Sequence, residues 1–368
     1  MGKSKVYGTF RQTNFELMRV ICMLLLVAHH YCVHGGILHT ESRYKVIALL
    51  FYPAGKISFV AFIAVTMYFL VDKDFKSIRF IKIWLETFFY SVVFFLVSLF
   101  YATPVSKSDL IRNGIGSLFP IAGNSHGFAA SYLLFYAFFP FISSYTKTLS
   151  KQRMQILLVI LFYAQIVSSV IMTVTGHVQP ILSHVQLFFF CYLLMIYIKK
   201  WAPRNIATLK VSAMIFLVIY LYIFIIAYFS NISEINIFKY ISALTKDESS
   251  LLYIIAGFAL FFIFKNISVK YNPVINKLAG CTFGVLLIHD HNFFRAPLWH
   301  NIIKTQDWFY SVHFVSYYIV SIFGIFFTGC LVDLFRQNLF ERFFLNSQFV
   351  QRCCERLDCY VNNETIRG

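Results

Sequence analysis

Residues 14–36 read NFELMRVICMLLLVAHHYCVHGG, and the rest of the chain is organised around them. Arg19 opens an apolar run, and His29 and His30 lie inside it. Arg19 and His30 are eleven residues apart, almost three whole turns of a helix, so they share a face. Over that step the helix turns about 1,100°, about 20° past a whole number of turns, and leaves His29 about 80° behind. The rise is roughly 16 Å, about half of a ~30 Å hydrocarbon core. A cation at one membrane surface and an imidazole near the midplane therefore face the same interior. An ionisable group at that depth is expensive and marks a functional site; the plainer reading is a histidine satisfied by a neighbouring helix.

Composition agrees with a membrane setting. Of 368 residues, 59% are hydrophobic and 13% charged, with mean hydropathy +0.68. Soluble domains carry about 25% charged residues, so a polytopic membrane protein is expected. The 44 Phe and 23 Tyr suit lipid-facing and interfacial positions. A net charge of +16 would suit nucleic acid if it formed a patch, but the basic residues recur in short clusters between apolar runs. That is topogenic charge, and nucleic acid is excluded as a partner. The basic N-terminus leads into the first run without a small-residue cleavage site and is expected to be retained. Of eight cysteines, five fall in apolar runs as small hydrophobes, and Cys353, Cys354 and Cys359 read as plain cytosolic thiols. Their spacing implies neither a disulfide framework nor a metal site.

Ten apolar runs follow one another at roughly 17–36, 46–71, 80–101, 127–146, 154–173, 183–198, 211–230, 250–264, 278–294 and 310–333. With the N-terminus in the cytosol, the cytosolic segments hold 23 Lys and Arg and the outer segments 8. That split places both termini inside. The expected fold is an all-α polytopic membrane helix bundle of about ten transmembrane helices. Residues 1–340 form one bundle and 341–368 a short cytosolic tail, with membrane lipid as the surrounding partner. All eleven histidines then fall in the outer half of a run or in an outer loop, which directs proton-handling chemistry toward that side.

Several constellations could carry chemistry. An imidazole titrates near neutrality and can take a proton from a hydroxyl, and the spacing selects His30 for that task. His29 is left to pack against a neighbour. In VDKDFKSIRFIKIW, Lys76 and Arg79 stand one helical neighbour distance apart, a pairing that suits phosphate as well as topology. Lys73 and Lys82 read as topogenic. His289, Asp290 and His291 cluster at the end of the ninth run, where a carboxylate could orient an imidazole or bind a sugar hydroxyl. Three consecutive residues do not converge on one helical face, so no metal is expected. His126, Tyr132 and Tyr136 lie near the outer end of the fourth run, with Tyr136 read as an interfacial aromatic. Glu86 is expected to pair with Arg19 or Arg79.

At these residues the chain resembles the membrane acyltransferase-3 family, ten-helix O-acyltransferases of bacterial surface glycans. Arg19 and His30 match its Arg-x10-His signature, and Lys76 with Arg79 its basic loop motif. TFGVLLIHD at 282–290, ASYLLFYAFFPF at 130–141 and LVDLFR at 331–336 resemble three further elements in order. Met67 stands where the family usually has glycine, and SHGFAASY lacks a common tryptophan. The resemblance implies an acetyltransferase of the bacterial cytoplasmic (inner) membrane, using cytosolic acetyl-CoA to acylate a glycan hydroxyl of capsule, exopolysaccharide or lipid-linked oligosaccharide. Arg19, Lys76 and Arg79 would meet the CoA phosphates, and His30, with Arg19 and His29 beside it, would be the general base or acyl carrier. His289, Asp290, His126 and Tyr132 would receive the sugar. The alternatives are a polysaccharide flippase or polymerase, or another transporter. A polymerase often carries a long outer loop, and transporters often show internal repeats; neither is seen in this sequence.

Overall fold

Helix α1 runs Thr13–His34, continuous through Arg19, His29 and His30. It ends at Gly35–Gly36, where Gly36 takes φ +93°, a left-handed conformation that glycine adopts without strain. The computed structural model describes residues 12–101, 106–123, 126–167, 182–203, 205–232, 241, 245 and 250–362. Every regular element among the described residues is helical.

The other helices follow the apolar runs. The second run forms α2 (Lys45–Leu50) and α3 (Tyr52–Leu70), with Pro53 in the first turn of α3, where its missing N–H is harmless. Next come α4 (Ser77–Tyr101), α5 (Lys107–Leu118), α6 (Gly127–Lys147) and α7 (Lys151–Phe162). The remainder of the fifth run beyond 167 lies outside the described residues, as do His177 and residues 1–11. The chain continues through α8 (Leu182–Trp201), α9 (Leu209–Ile232) and α10 (Leu251–Asn266). The ninth run divides into α11 (Pro273–Ala279) and α12 (Thr282–His289), and the tenth is α13 (Phe314–Arg336). Among the described residues six segments are long and apolar enough to cross a membrane by length and composition: Thr13–His39, Lys45–Leu70, Ser77–Tyr101, Gly127–Lys147, Leu209–Asn231 and Phe314–Leu345.

Three helices have no counterpart among the runs. The α5 helix is short, and Ser106 caps it by accepting a hydrogen bond from the Asp109 N–H. After the brief α14 (Arg342–Leu345), the tail forms α15 (Gln348–Val361), which docks on α4. The Ser77 N–H donates to Asp358 Oδ1 at 2.6 Å, and the Ser77 hydroxyl to the Cys354 carbonyl at 3.1 Å. Of the tail thiols, Cys354 is consequently buried while Cys353 is exposed.

Helix α1 and the α2–α3 segment run in opposite senses between two ends. At one end Asn14 donates to the Phe264 carbonyl at 2.9 Å, Lys147 pairs with Asp74 at 3.2 Å and Lys199 pairs with Asp72. This is the basic end. At the other, Thr305 donates to the Gly35 carbonyl at 2.7 Å and Lys45 reaches the Asn231 carbonyl at 3.4 Å. Most of the described histidines gather there. Helix α1 is central, packed against α3, α10, α11, α12 and α13, with Met18, Cys22, Val27 and Tyr31 buried. On the periphery α9 and α13 keep Val218, Val320 and Leu331 exposed, as a lipid-facing surface requires.

Near the basic end one polar network ties α4 to α13. Arg336, 1% exposed, meets Glu86 at 3.1 Å, Asp333 at 2.8 Å and Glu341 at 2.9 Å. The Tyr90 hydroxyl donates to Asp333 Oδ1 at 2.9 Å, and Lys82 pairs with Glu341 at 2.7 Å. The partner of Glu86 is therefore Arg336, and neither Arg19 nor Arg79 as the sequence suggested. Arg19 is taken by Glu16, three residues earlier on its own helix, at 2.7 Å. Replacing Arg336 with Met would leave three carboxylates together in an apolar interior. The expected loss is about 3–5 kcal/mol, measured by thermal unfolding in detergent. Lys82→Ala, whose ammonium is half exposed, should cost less than about 1 kcal/mol in the same assay.

Candidate active site

A single stripe of α1 carries Arg19, Met23 and Leu26 into a cavity of about 330 Å³. Helix directions order its walls from the basic end inward. Arg19, Glu16, Lys82 and Glu86 lie at the basic end, and Phe59, Phe128 and Phe188 line the deeper part. The rings of Phe59 and Phe128 are 4.9 Å apart, and those of Phe128 and Phe188 5.4 Å, so the deep wall is aromatic. Leu26 and Leu286 reach furthest on α1 and α12. One turn beyond them on the same stripes stand His30 and Asp290. The cavity is polar at the basic end and apolar toward the histidines.

Beside its basic end, and outside its lining, further cations gather near Arg19. Partial burial, and then the guanidinium groups of Arg79 and Arg19, hold the Lys73 ammonium below the usual lysine range. Arg79 reaches the Tyr136 hydroxyl, and no carboxylate pairs with it among the described residues. Lys76 is more exposed, and its ammonium lies 3.8 Å from Asp358 of α15. Tyr136 hydrogen-bonds the Lys76 backbone at 3.2 Å and is fully buried. It anchors the loop from inside, where the sequence suggested an interfacial ring. Lys73 belongs to the cationic group although its position alone read as topogenic; only the fold folds it back beside Arg19.

Beyond the cavity, His30 Nδ1 lies 2.9 Å from His289 Nε2, and His289 Nδ1 lies 2.6 Å from the Val285 carbonyl. Asp290 Oδ1 stands 3.8 Å from both His30 Nδ1 and His34 Nε2, and 2.8 Å from Arg295 Nε. The coordinating atoms of His30, His34 and Asp290 lie within 4.8 Å of one another, a spacing that a divalent cation could bridge. Two contacts oppose that use. His30 Nδ1 already faces His289, and the Arg295 guanidinium occupies Asp290, setting a fixed cation beside any metal.

His29 points away from this cluster. Its Nδ1 donates to the Tyr52 carbonyl at 2.7 Å, and its ring lies flat against Gly55 of α3. The helical-face reading of the two adjacent histidines therefore matches their placement. His126 precedes α6 with its ring 4.5 Å from His291, and the Nε2 atoms of both are buried with no hydrogen-bond partner among the described residues. Tyr132, grouped with His126 in the sequence reading, stands apart from it and lines the cavity, 5.5 Å ring to ring from Phe188. Six residues of helix separate the two, about 9 Å of rise. His34 joins the cluster unannounced, because the proximity of α1's end to the loop after α12 is a long-range contact; Arg295, close behind Asp290 in sequence, turns back to pair with it.

A family model described as an acyltransferase domain matches residues 12–330. The chain belongs to the membrane acyltransferase-3 family. Comparison with curated proteins and with solved structures gave no match. The match runs from the start of α1 into α13, so cavity and histidine cluster both lie within the family's domain. The chain is thus a multi-pass membrane acyltransferase.

A methyl group at Gly55 would stand 2.2 Å from His29 Cγ and 2.4 Å from its Cβ, atoms that cannot swing aside. Gly55→Ala should therefore destabilise by about 1–3 kcal/mol. Adding His29→Ala should recover most of that loss, and thermal unfolding of the two variants and the double variant measures the coupling.

Proposed function

We propose that this acyltransferase moves an acetyl group from acetyl-CoA to a hydroxyl of a cell-envelope glycan at the bacterial cytoplasmic membrane. The observation that carries the reading is the cavity, with Arg19 at its basic end, Lys73 and Arg79 close beside Arg19, and a buried histidine one turn past its deep end, on one stripe of α1. The 23-to-8 division of Lys and Arg sets the basic end toward the cytosol, where the donor is made. Arg19, Lys73, Lys76 and Arg79 meet the phosphates of CoA, with arginine as a bidentate partner and lysine as a point charge. The apolar walls suit the pantetheine arm, and the roughly 16 Å between Arg19 and His30 is comparable to its reach. The glycan approaches from the histidine end, where Asp290 and His126 offer polar atoms to its hydroxyls.

In the transfer, His30 takes the proton of the sugar hydroxyl as the oxygen attacks the thioester carbonyl. The C–S bond breaks, the CoA thiolate leaves, and the imidazolium returns the proton to it. Asp290, 3.8 Å from His30, supplies the counter-charge while the imidazole is protonated. If the acyl group instead passes through His30, the protein itself becomes labelled when acceptor is withheld.

The decisive experiment incubates purified protein with radiolabelled acetyl-CoA and candidate glycans. No label in any glycan or on the protein would overturn the reading. Within that assay His30→Ala should lose about 10²–10⁴ in rate while still inserting in the membrane, and His29→Ala should retain measurable turnover. A His30→Ala enzyme of near wild-type rate would remove His30 from the chemistry. The donor end is tested separately. Arg79→Ala should raise KM for acetyl-CoA about ten- to a hundredfold, the effect of one lost charge-assisted hydrogen bond of roughly 1.5–3 kcal/mol. Lys76→Ala, exposed and already facing Asp358, should raise it less, and neither should change KM for the glycan.

A further inference from the structure

Two distances near the end of α12 determine where protons must sit. His289 Nδ1 is 2.6 Å from the Val285 carbonyl, and a carbonyl oxygen can only accept, so Nδ1 carries a hydrogen. A neutral imidazole has one N–H, which leaves His289 Nε2 with its lone pair. That lone pair lies 2.9 Å from His30 Nδ1, so His30 Nδ1 donates. The remaining His30 nitrogen, Nε2, is then unprotonated and available. The relay runs in one direction: His30 Nδ1–H to His289 Nε2, and His289 Nδ1–H to the Val285 carbonyl.

We infer that His289 is a positioning residue which fixes His30 in the tautomer whose Nε2 holds the reactive lone pair. The inference rests on His30 being the reacting imidazole of the proposed transfer. It assigns His289 a task other than the sugar contact expected from the sequence. With 0% exposure and both nitrogens engaged inside the protein, His289 has no polar atom left for a sugar hydroxyl. An orienting group beyond a catalytic imidazole commonly acts this way, and loss of the correct tautomer is costly even when the geometry survives. The carbonyl of the preceding turn is an unusually rigid final acceptor, because it belongs to the backbone of α12 itself.

Two measurements test the assignment. The first is activity-independent: ¹⁵N NMR of histidine-labelled full-length protein in nanodiscs, with the His30 signal assigned by its absence in His30→Gln. Wild type should show His30 protonated at Nδ1 and bare at Nε2. His289→Lys, a donor at the same place, should reverse that pattern. The second is kinetic. His289→Leu and His289→Lys should lower kcat about 10²–10⁴-fold with KM for acetyl-CoA unchanged. His289→Gln, which can still accept from Nδ1–H, should stay within about tenfold of wild type. A wild-type His30 protonated at Nε2, or a folded His289→Leu enzyme with wild-type kcat, overturns the inference. If His289→Leu does not fold, the wild-type tautomer and the Gln variant still decide. Should wild type show no acetyl transfer at all, the functional reading fails, while the NMR result continues to judge the tautomer by itself.

Discussion

A guanidinium in the apolar interior of a bundle needs carboxylates around it, and Arg336 has three. The network does more than neutralise charge. Asp333 lies against Gly284 so closely that a Cβ there would come within 2.2 Å of its carboxyl carbon. The depth at which α12 sits against α13 is set by that contact. Leu286 and His289 follow on the same short helix, so the deep end of the cavity and the partner of His30 inherit their positions from it. Charges at the basic end thereby govern geometry at the histidine end, through a rigid helix and with no moving part.

Much of this architecture could be read from the amino-acid order alone. Long apolar runs become helices because an unpaired backbone is intolerable in lipid, and their placement along the chain follows. The separation of His30 from His29 follows from helical periodicity, a local property of α1. Several pairings between residues distant in sequence were not legible in the amino-acid order. Glu86 lies among several cations in a hydropathy plot, and only packing selects Arg336. Tyr136 looks like a surface aromatic until α6 is seen to face inward. Lys73 resembles any charged loop residue until the loop turns it toward Arg19 and Arg79. The tail from 348 has an amphipathic pattern, yet nothing in its composition names α4 as its support. Local periodicity is encoded residue by residue, whereas these pairings depend on how whole helices are arranged.

The two ends of the molecule handle charge in opposite ways. Beside the basic end of the cavity, Lys73 and Arg79 gather near Arg19, a grouping of cations that favours an arriving polyanion. At the histidine end, Asp290 is matched by Arg295, and the imidazoles are arranged chiefly against one another. An apolar stretch bounded by Phe59, Phe128 and Phe188 separates the two regimes and keeps the grouped cations from the imidazoles.

The hydrogen bond from the Ser77 N–H to Asp358 has a consequence in time. The first turn of α4 leaves N–H groups that its own backbone cannot satisfy, and one of them is met by a residue 281 positions later. A ribosome adding ~5–20 residues per second covers that gap in tens of seconds. During synthesis α4 therefore stands in the membrane with an unfinished start, and Arg79, two residues beyond Ser77, lacks the neighbour that fixes its surroundings. The cationic group is among the last parts of the protein to mature, although the residues that form it are among the first to be made.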